Sequence, residues 1–146
     1  RGFEVTAQGN VNNFSLIAGY AYNNVVFAKD SPLGEKGDRY DNSPHHIANI
    51  WLKYTVPAAF KLSGLSVGVG AKYVGDRVGS AANQHFLMPS YSLLDGSISY
   101  SIRNVSVDLN AYNLLDKKYI IGGYYSDLQV PVGTPRNWKL GIRYSF

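Results

Sequence analysis

From Arg136 to Phe146 the chain reads RNWKLGIRYSF, with Trp138, Leu140, Ile142, Tyr144 and Phe146 on every second position. Successive side chains of an extended strand point to opposite faces, so these five share one face and Asn137, Lys139, Gly141, Arg143 and Ser145 share the other. The same period of two recurs along the chain, and no segment sustains a helical period for three turns. The pattern predicts seven strands, over 2–11, 14–29, 44–56, 65–78, 91–102, 105–115 and 136–146. One face of each is apolar: Phe3, Val5, Ala7 and Val11 in the first, Leu65, Val67, Val69, Ala71 and Tyr73 in the fourth, Val105, Val107, Leu109 and Ala111 in the sixth. The reverse faces carry Glu4, Thr6, Gln8 and Asn10, then Lys72, then Ser106, Asp108 and Asn110, polar and small.

Connections between these strands alternate in length. NN, PAAFKLSG and RN are short, whereas DSPLGEKGDRYDNS, GSAANQHFLMPS and DKKYIIGGYYSDLQVPVGTP are long. An outer-membrane barrel has short periplasmic turns and longer extracellular loops, and its strands need about 9–11 tilted residues to cross the bilayer. Loop lengths and strand lengths therefore both predict an all-β, antiparallel, up-and-down transmembrane barrel with no helical domain. The apolar rows face lipid and the polar rows face a lumen. On this reading Trp138 lies at the outer aromatic girdle, and Tyr144 and Phe146 at the inner one.

Composition agrees. Of 146 residues 14% are aromatic, and Tyr (12) outnumbers Phe (6), as suits a ring that meets hydrocarbon on one side and water on the other. No apolar run approaches the length of a membrane-spanning helix. The chain has no cysteine, which removes thiolate metal sites and cysteine nucleophiles. Its net charge of +4 is scattered without a basic block, which argues against a nucleic-acid partner.

Seven strands cannot close in hydrocarbon. Water is absent there, so each open sheet edge would expose on the order of ten unpaired backbone groups at several kcal/mol apiece. Bacterial barrels also have even strand numbers. The expectation is that the chain is the C-terminal part of a larger barrel whose other strands pair with both edges.

RGFE opening a strand, SPHHIANIWLKY, YSLLDGSISYSI, NLLDKKY and VPVGTPRNWKLGIRYSF with its terminal Phe together resemble the last strands of TonB-dependent outer-membrane receptors, especially the ferric-siderophore, ferrichrome-type branch. The resemblance spans the whole chain. It implies a twenty-two-stranded barrel in the bacterial outer membrane, plugged by an N-terminal domain, that imports ferric siderophore with energy delivered by TonB. The chain would supply the last seven strands, with plug domain and earlier strands outside it. Its C-terminal Phe146 resembles the signal read by the barrel-assembly machinery, and it also completes the lipid-facing row. Basic residues near the outer rim would meet lipopolysaccharide phosphates.

Candidate chemistry is sparse. His45 and His46 are adjacent, so a strand sends them to opposite faces, and a third ligand at useful spacing is missing; no metal site or cofactor is expected. Ser97, Ser99 and Ser101 line one face near Asp95, but none has a sequence neighbour that marks an activated nucleophile, and they read as hydrated lumen wall. Gly68 and Gly70 lack the third glycine and helix of a dinucleotide fingerprint; small lumen-face residues that let a neighbour pack close account for them. Ligand contact falls to the long loops, where Arg39, Tyr40, His85, Phe86, Tyr124 and Tyr125 offer aromatic stacking and a cation to a bulky ferric siderophore. The chain is expected not to be an enzyme. Two other readings compete: a soluble β-sandwich binding module, which requires a second sheet over the apolar face, and a barrel hydrolase that acts through those serines.

Overall fold

A computed structural model describes residues 1–123 and 130–146. Seven strands form one antiparallel sheet in the order β1-β2-β3-β4-β7-β8-β9, and β5 and β6 form a separate two-stranded ribbon. The wall strands are β1 Gly2–Val11, β2 Phe14–Asn23, β3 His46–Thr55, β4 Leu65–Val74, β7 Tyr91–Ile102, β8 Val105–Tyr112 and β9 Asn137–Tyr144; the ribbon is β5 Arg77–Ser80 and β6 Asn83–Met88. Each wall strand pairs with its sequence neighbour in the sheet, the up-and-down topology expected from the alternation.

Register carries the pattern across the sheet. Leu16 pairs with Leu52, Leu52 with Val69 and Val69 with Gly96, while Ala111 pairs with Trp138 and Leu109 with Leu140. A slip of one residue at any strand would send its apolar side chains to the polar face. Two of the turns that hold this register are two residues long, and residues 56–64 join β3 to β4. Asn12 (φ 51°) lies between Val11 and Phe14, and Arg103 (φ 50°) between Ile102 and Val105, both in the left-handed region that tight hairpins demand.

The apolar face is bare. Val5 is 59% exposed, Leu140 67% and Ile142 72%, and no second sheet covers the row among the described residues. A soluble sandwich would bury this face against a facing sheet about 10 Å away. Aromatic side chains mark both ends of the face. Phe3 stands 5.8 Å from Tyr20 and 5.9 Å from Tyr22, and at the other end Phe14 stacks on Tyr54 at 4.8 Å and Tyr144 on Phe146 at 5.1 Å. Six residues separate Tyr20 from Phe14, and Trp138 from Tyr144, about 20 Å along a strand. That separation is of the order of the apolar band of outer-membrane barrels, about 25 Å.

Close packing occurs at the end where the long connections lie. The fully buried larger side chains there are Arg77, Val78 and Met88, all on β5 and β6. The observed strands differ from the sequence expectation at this end. The strand expected over 14–29 leaves the wall after Asn23, and the alternation of Val25, Val26 and Phe27 continues in a loop ribbon. There Val26 bridges Arg39, Phe27 N–H donates to Asp38 O at 3.0 Å and Tyr40 N–H to Val25 O at 3.0 Å. The strand expected over 65–78 breaks at Gly75 and Asp76, and its continuation β5 pairs with β6, a strand inside the stretch expected to be loop.

Candidate ligand-binding site at the loop rim

Three long connections, 24–45, 75–90 and 113–136, meet at this end and hold one another through backbone-directed hydrogen bonds. Asn42 is the centre of the lock. Its N–H donates to Val78 O at 2.8 Å, its Nδ2 donates to Gly123 O at 2.9 Å, and its Oδ1 accepts from Gly123 N–H at 2.8 Å. Gly123 is required there: an added Cβ would lie 2.8 Å from Gly79 Cα, against backbone that cannot turn aside. Gln84 of β6 repeats the device, accepting from Arg39 N–H at 3.2 Å and donating to Arg39 O at 3.0 Å.

Two arginines complete the framework. Arg39 Nη1 pairs with Asp76 Oδ2 at 2.9 Å and its Nη2 donates to Asp76 O at 2.8 Å. The guanidinium beside Asp76 holds that carboxyl below its usual range, chiefly through the hydrogen bond. Arg77 is 2% exposed, donates Nη2 to Ile120 O at 2.5 Å and lies 5.4 Å from the centre of the Tyr91 ring, which stacks on Tyr119 at 4.5 Å. Burial lowers the Arg77 pKa. At the edge of this cluster burial lowers the His45 pKa, and nearby Arg39 lowers it further.

Between the three connections lies a pocket of about 520 Å³. Phe27, Leu33, Ala81, Ala82, Ile121 and Pro131 give it apolar walls, and Tyr40, Asp41, Asn42 and Ser80 supply its polar side chains, with Gly122 and Gly123 between them. Its size and its few polar groups on apolar walls are those of a small-molecule site. Tyr40 is 48% exposed and braced by Phe27, ring centres 5.6 Å apart, so its ring is both held and open to a ligand.

Among the residues singled out from the sequence, Tyr40 lines this pocket, whereas Arg39 sits beside it with its charge engaged by Asp76. His85 is exposed on β6 and Phe86 packs its ring over Gly79; neither lines the pocket. Tyr124 and Tyr125 fall outside the described residues. At the membrane-facing surface Trp138 (59% exposed) and Tyr144 (57%) point from the apolar face, and Phe146 is fully exposed. Asn42, Asp41, Leu33 and Ile121 were not singled out from the sequence. They lie far apart in the chain and in no motif; the GG pair at 122 and 123 was the local sign that backbones approach closely there.

The remaining candidates have structural partners. His46 Nδ1 and Tyr20 Oη are 2.8 Å apart, and the His45 and His46 rings are 6.5 Å apart and nearly perpendicular. No group of three potential metal ligands occurs among the described residues. Ser99 Oγ donates to Asp108 at 2.5 Å, and Ser101 and Ser106 share a hydrogen bond of 2.8 Å, which ties these hydroxyls along the lumen wall. Gly68 and Gly70 lie under the indole of Trp51, which would strike a Cβ at either position.

The chain is similar in sequence and in fold to known proteins. The chain is 32% identical over 154 residues to the ferrioxamine receptor of Yersinia enterocolitica, covering all of this chain and 21% of that protein. It superposes on the siderophore receptor PiuA from Acinetobacter baumannii with a TM-score of 0.78 and 28% identity, covering 98% of this chain and 21% of that one. On the ferric yersiniabactin uptake receptor FyuA from Yersinia pestis the TM-score is 0.86 over 99% of this chain and 23% of that one; at 21% identity the likeness is one of fold. The chain thus spans about a fifth of the length of these relatives. Residues 1–114 match the family described as TonB dependent receptor-like, beta-barrel, and the chain belongs to that family, a β-barrel segment of the bacterial outer membrane.

Proposed function

We propose that the chain is the C-terminal wall segment of an outer-membrane receptor that imports ferric siderophores with energy from TonB. The observation that carries this reading is the pocket itself: a rim of three interlocked loops, braced by Asn42 and Arg77, stands over a sheet whose outer face is dressed for lipid. Relatives named as ferrioxamine and siderophore receptors support the choice of cargo. The wall strands insulate the lumen from acyl chains, the polar inner face lodges a plug domain, and the loops capture the iron complex. No residue of this segment performs covalent chemistry.

β1 and β9 each pair on one side among the described residues. Hydrocarbon cannot solvate the opposite edges, so further strands of the same receptor complete the barrel. Lipopolysaccharide at the outer rim and the barrel-assembly machinery acting on the terminal aromatic are the other partners in this reading.

The test is to fill the pocket. In the full-length receptor Ala82→Trp should reduce uptake of radioactive ferric siderophore about tenfold or more, a loss of at least one decade in affinity as a bulky ring occupies ligand space. Receptor abundance in the outer membrane and heat-modifiable gel mobility should stay at the parental level. Unchanged uptake by a pocket-filled receptor would remove the pocket from the transport path.

A further inference from the structure

The rim pocket has a charge as well as a shape, and we propose that Asp41 makes it selective for ferric chelates that are neutral or cationic, at the expense of polyanionic ones. The inference rests on the siderophore reading above and narrows the class of cargo. No lysine or arginine lines the pocket among the described residues, and Asp41 is its one carboxylate. That carboxylate is half-buried, accepts a bond from Asn42 Nδ2 at 3.3 Å and belongs to no ion pair among the described residues.

Two arginines of the rim are engaged elsewhere. Arg39, two positions before Asp41, is held by the carboxylate and the carbonyl of Asp76, and Arg77 is buried between Ile120 O and the Tyr91 ring. A tris-catecholate ferric complex, a trianion, would enter against that charge with no cationic side chain among the described lining residues to offset it. A tris-hydroxamate complex, neutral or bearing a pendant ammonium, meets no such opposition, and the open Tyr40 ring offers its face to the cation.

The experiment measures binding to the purified full-length receptor in detergent by intrinsic-fluorescence quenching. Three probes are compared: ferrioxamine B (cationic), ferrichrome (neutral) and a ferric tris-catecholate (trianionic). The parental receptor should bind the first two more tightly than the third. Asp41→Asn should lower the preference for the cation over the neutral complex about tenfold, the size expected for one charge contact in a partly screened site. Asp41→Lys should move the preference towards the trianion. The ratio between probes removes any general loss from misfolding. Tightest binding of the trianion by the parental receptor, or probe ratios that neither substitution alters, would overturn the selectivity while leaving siderophore capture standing. Binding of none of the three complexes would overturn both readings.

Discussion

Trp51 shows what single residues contribute to this wall. It belongs to the lumen face of β3 and lies across β4, where Gly70 is its register partner and Gly68 sits two residues away. The alternation of small residues in GVGAKYVG signalled a close approach on the lumen side, but the strand neighbour was invisible until register placed Trp51 over it. An added Cβ at Gly70 would lie 2.7 Å from Trp51 Cζ3 and 3.2 Å from Ile50 O. Gly70→Val should therefore cost about 1–3 kcal/mol, the usual penalty of forced overpacking, because the indole must swing into the lumen. Full-length receptor carrying it should melt at lower temperature than the parent, with a blue-shifted tryptophan emission becoming redder as the ring is wetted. A parental melting point and spectrum would mean that the indole does not rest on the glycines.

Elements behave differently in the wall and at the rim. The wall strands were legible because one face is lipid and the other lumen, which forces strict alternation, and because the two-residue turns of β1–β2 and β7–β8 leave register little freedom there. Strand ends at the rim were not. Val25–Phe27 keeps the alternation of β2 yet pairs with Arg39 and Tyr40, while β6 carries Phe86, Leu87 and Met88 in succession, a run without period two. Loop partners such as Asn42 and Gly123, 81 positions apart, share no local signal at all. The lock they make is testable by hydrogen exchange on the full-length receptor. Asn42→Ala removes both side-chain bonds to Gly123, about 1–3 kcal/mol of local stability, and amides of 120–123 and 77–80 should exchange about tenfold faster or more. Acid probes the other tie. The carboxyl of Asp76 titrates below its ordinary 3.8, so the Arg39 pair is intact above that pH and is lost only as the pH falls through the depressed value. Exchange around Arg39 should show no pH-dependent loosening between pH 7 and 8 beyond the intrinsic chemical rate, where the lowered pKa of His45 keeps that ring neutral too, whereas the Asn42 substitution should act throughout that range. Loosening near neutrality would show that some other group holds the pair.

At the scale of the molecule, stability comes from a solvent arrangement rather than from a core. Among the described residues the buried apolar side chains are Val74, Val78, Met88 and Ala111, too few to hold a seven-stranded sheet together in water. The same sheet in a bilayer loses nothing by this, since acyl chains cover the rows from Val5 to Ile142 and the paired backbone is already satisfied. Two arginine substitutions of equal size separate these descriptions. Leu140→Arg places a charge on the lipid side between the girdle residues Trp138 and Tyr144, where the cost is about 2–4 kcal/mol. Gln8→Arg places the same side chain on the lumen face of β1, among Thr6 and Asn10, where lumen water can receive it. In the full-length receptor the first should lower the yield of heat-resistant folded barrel and its melting temperature, and the second should leave both near the parental values. A soluble sheet covered by its own partner would be hurt by Leu140→Arg as well, but it would also remain monomeric without detergent. The parental protein should instead aggregate when detergent is diluted below its critical micelle concentration, because the face that carries Leu140 and Ile142 then has only water or another copy to meet.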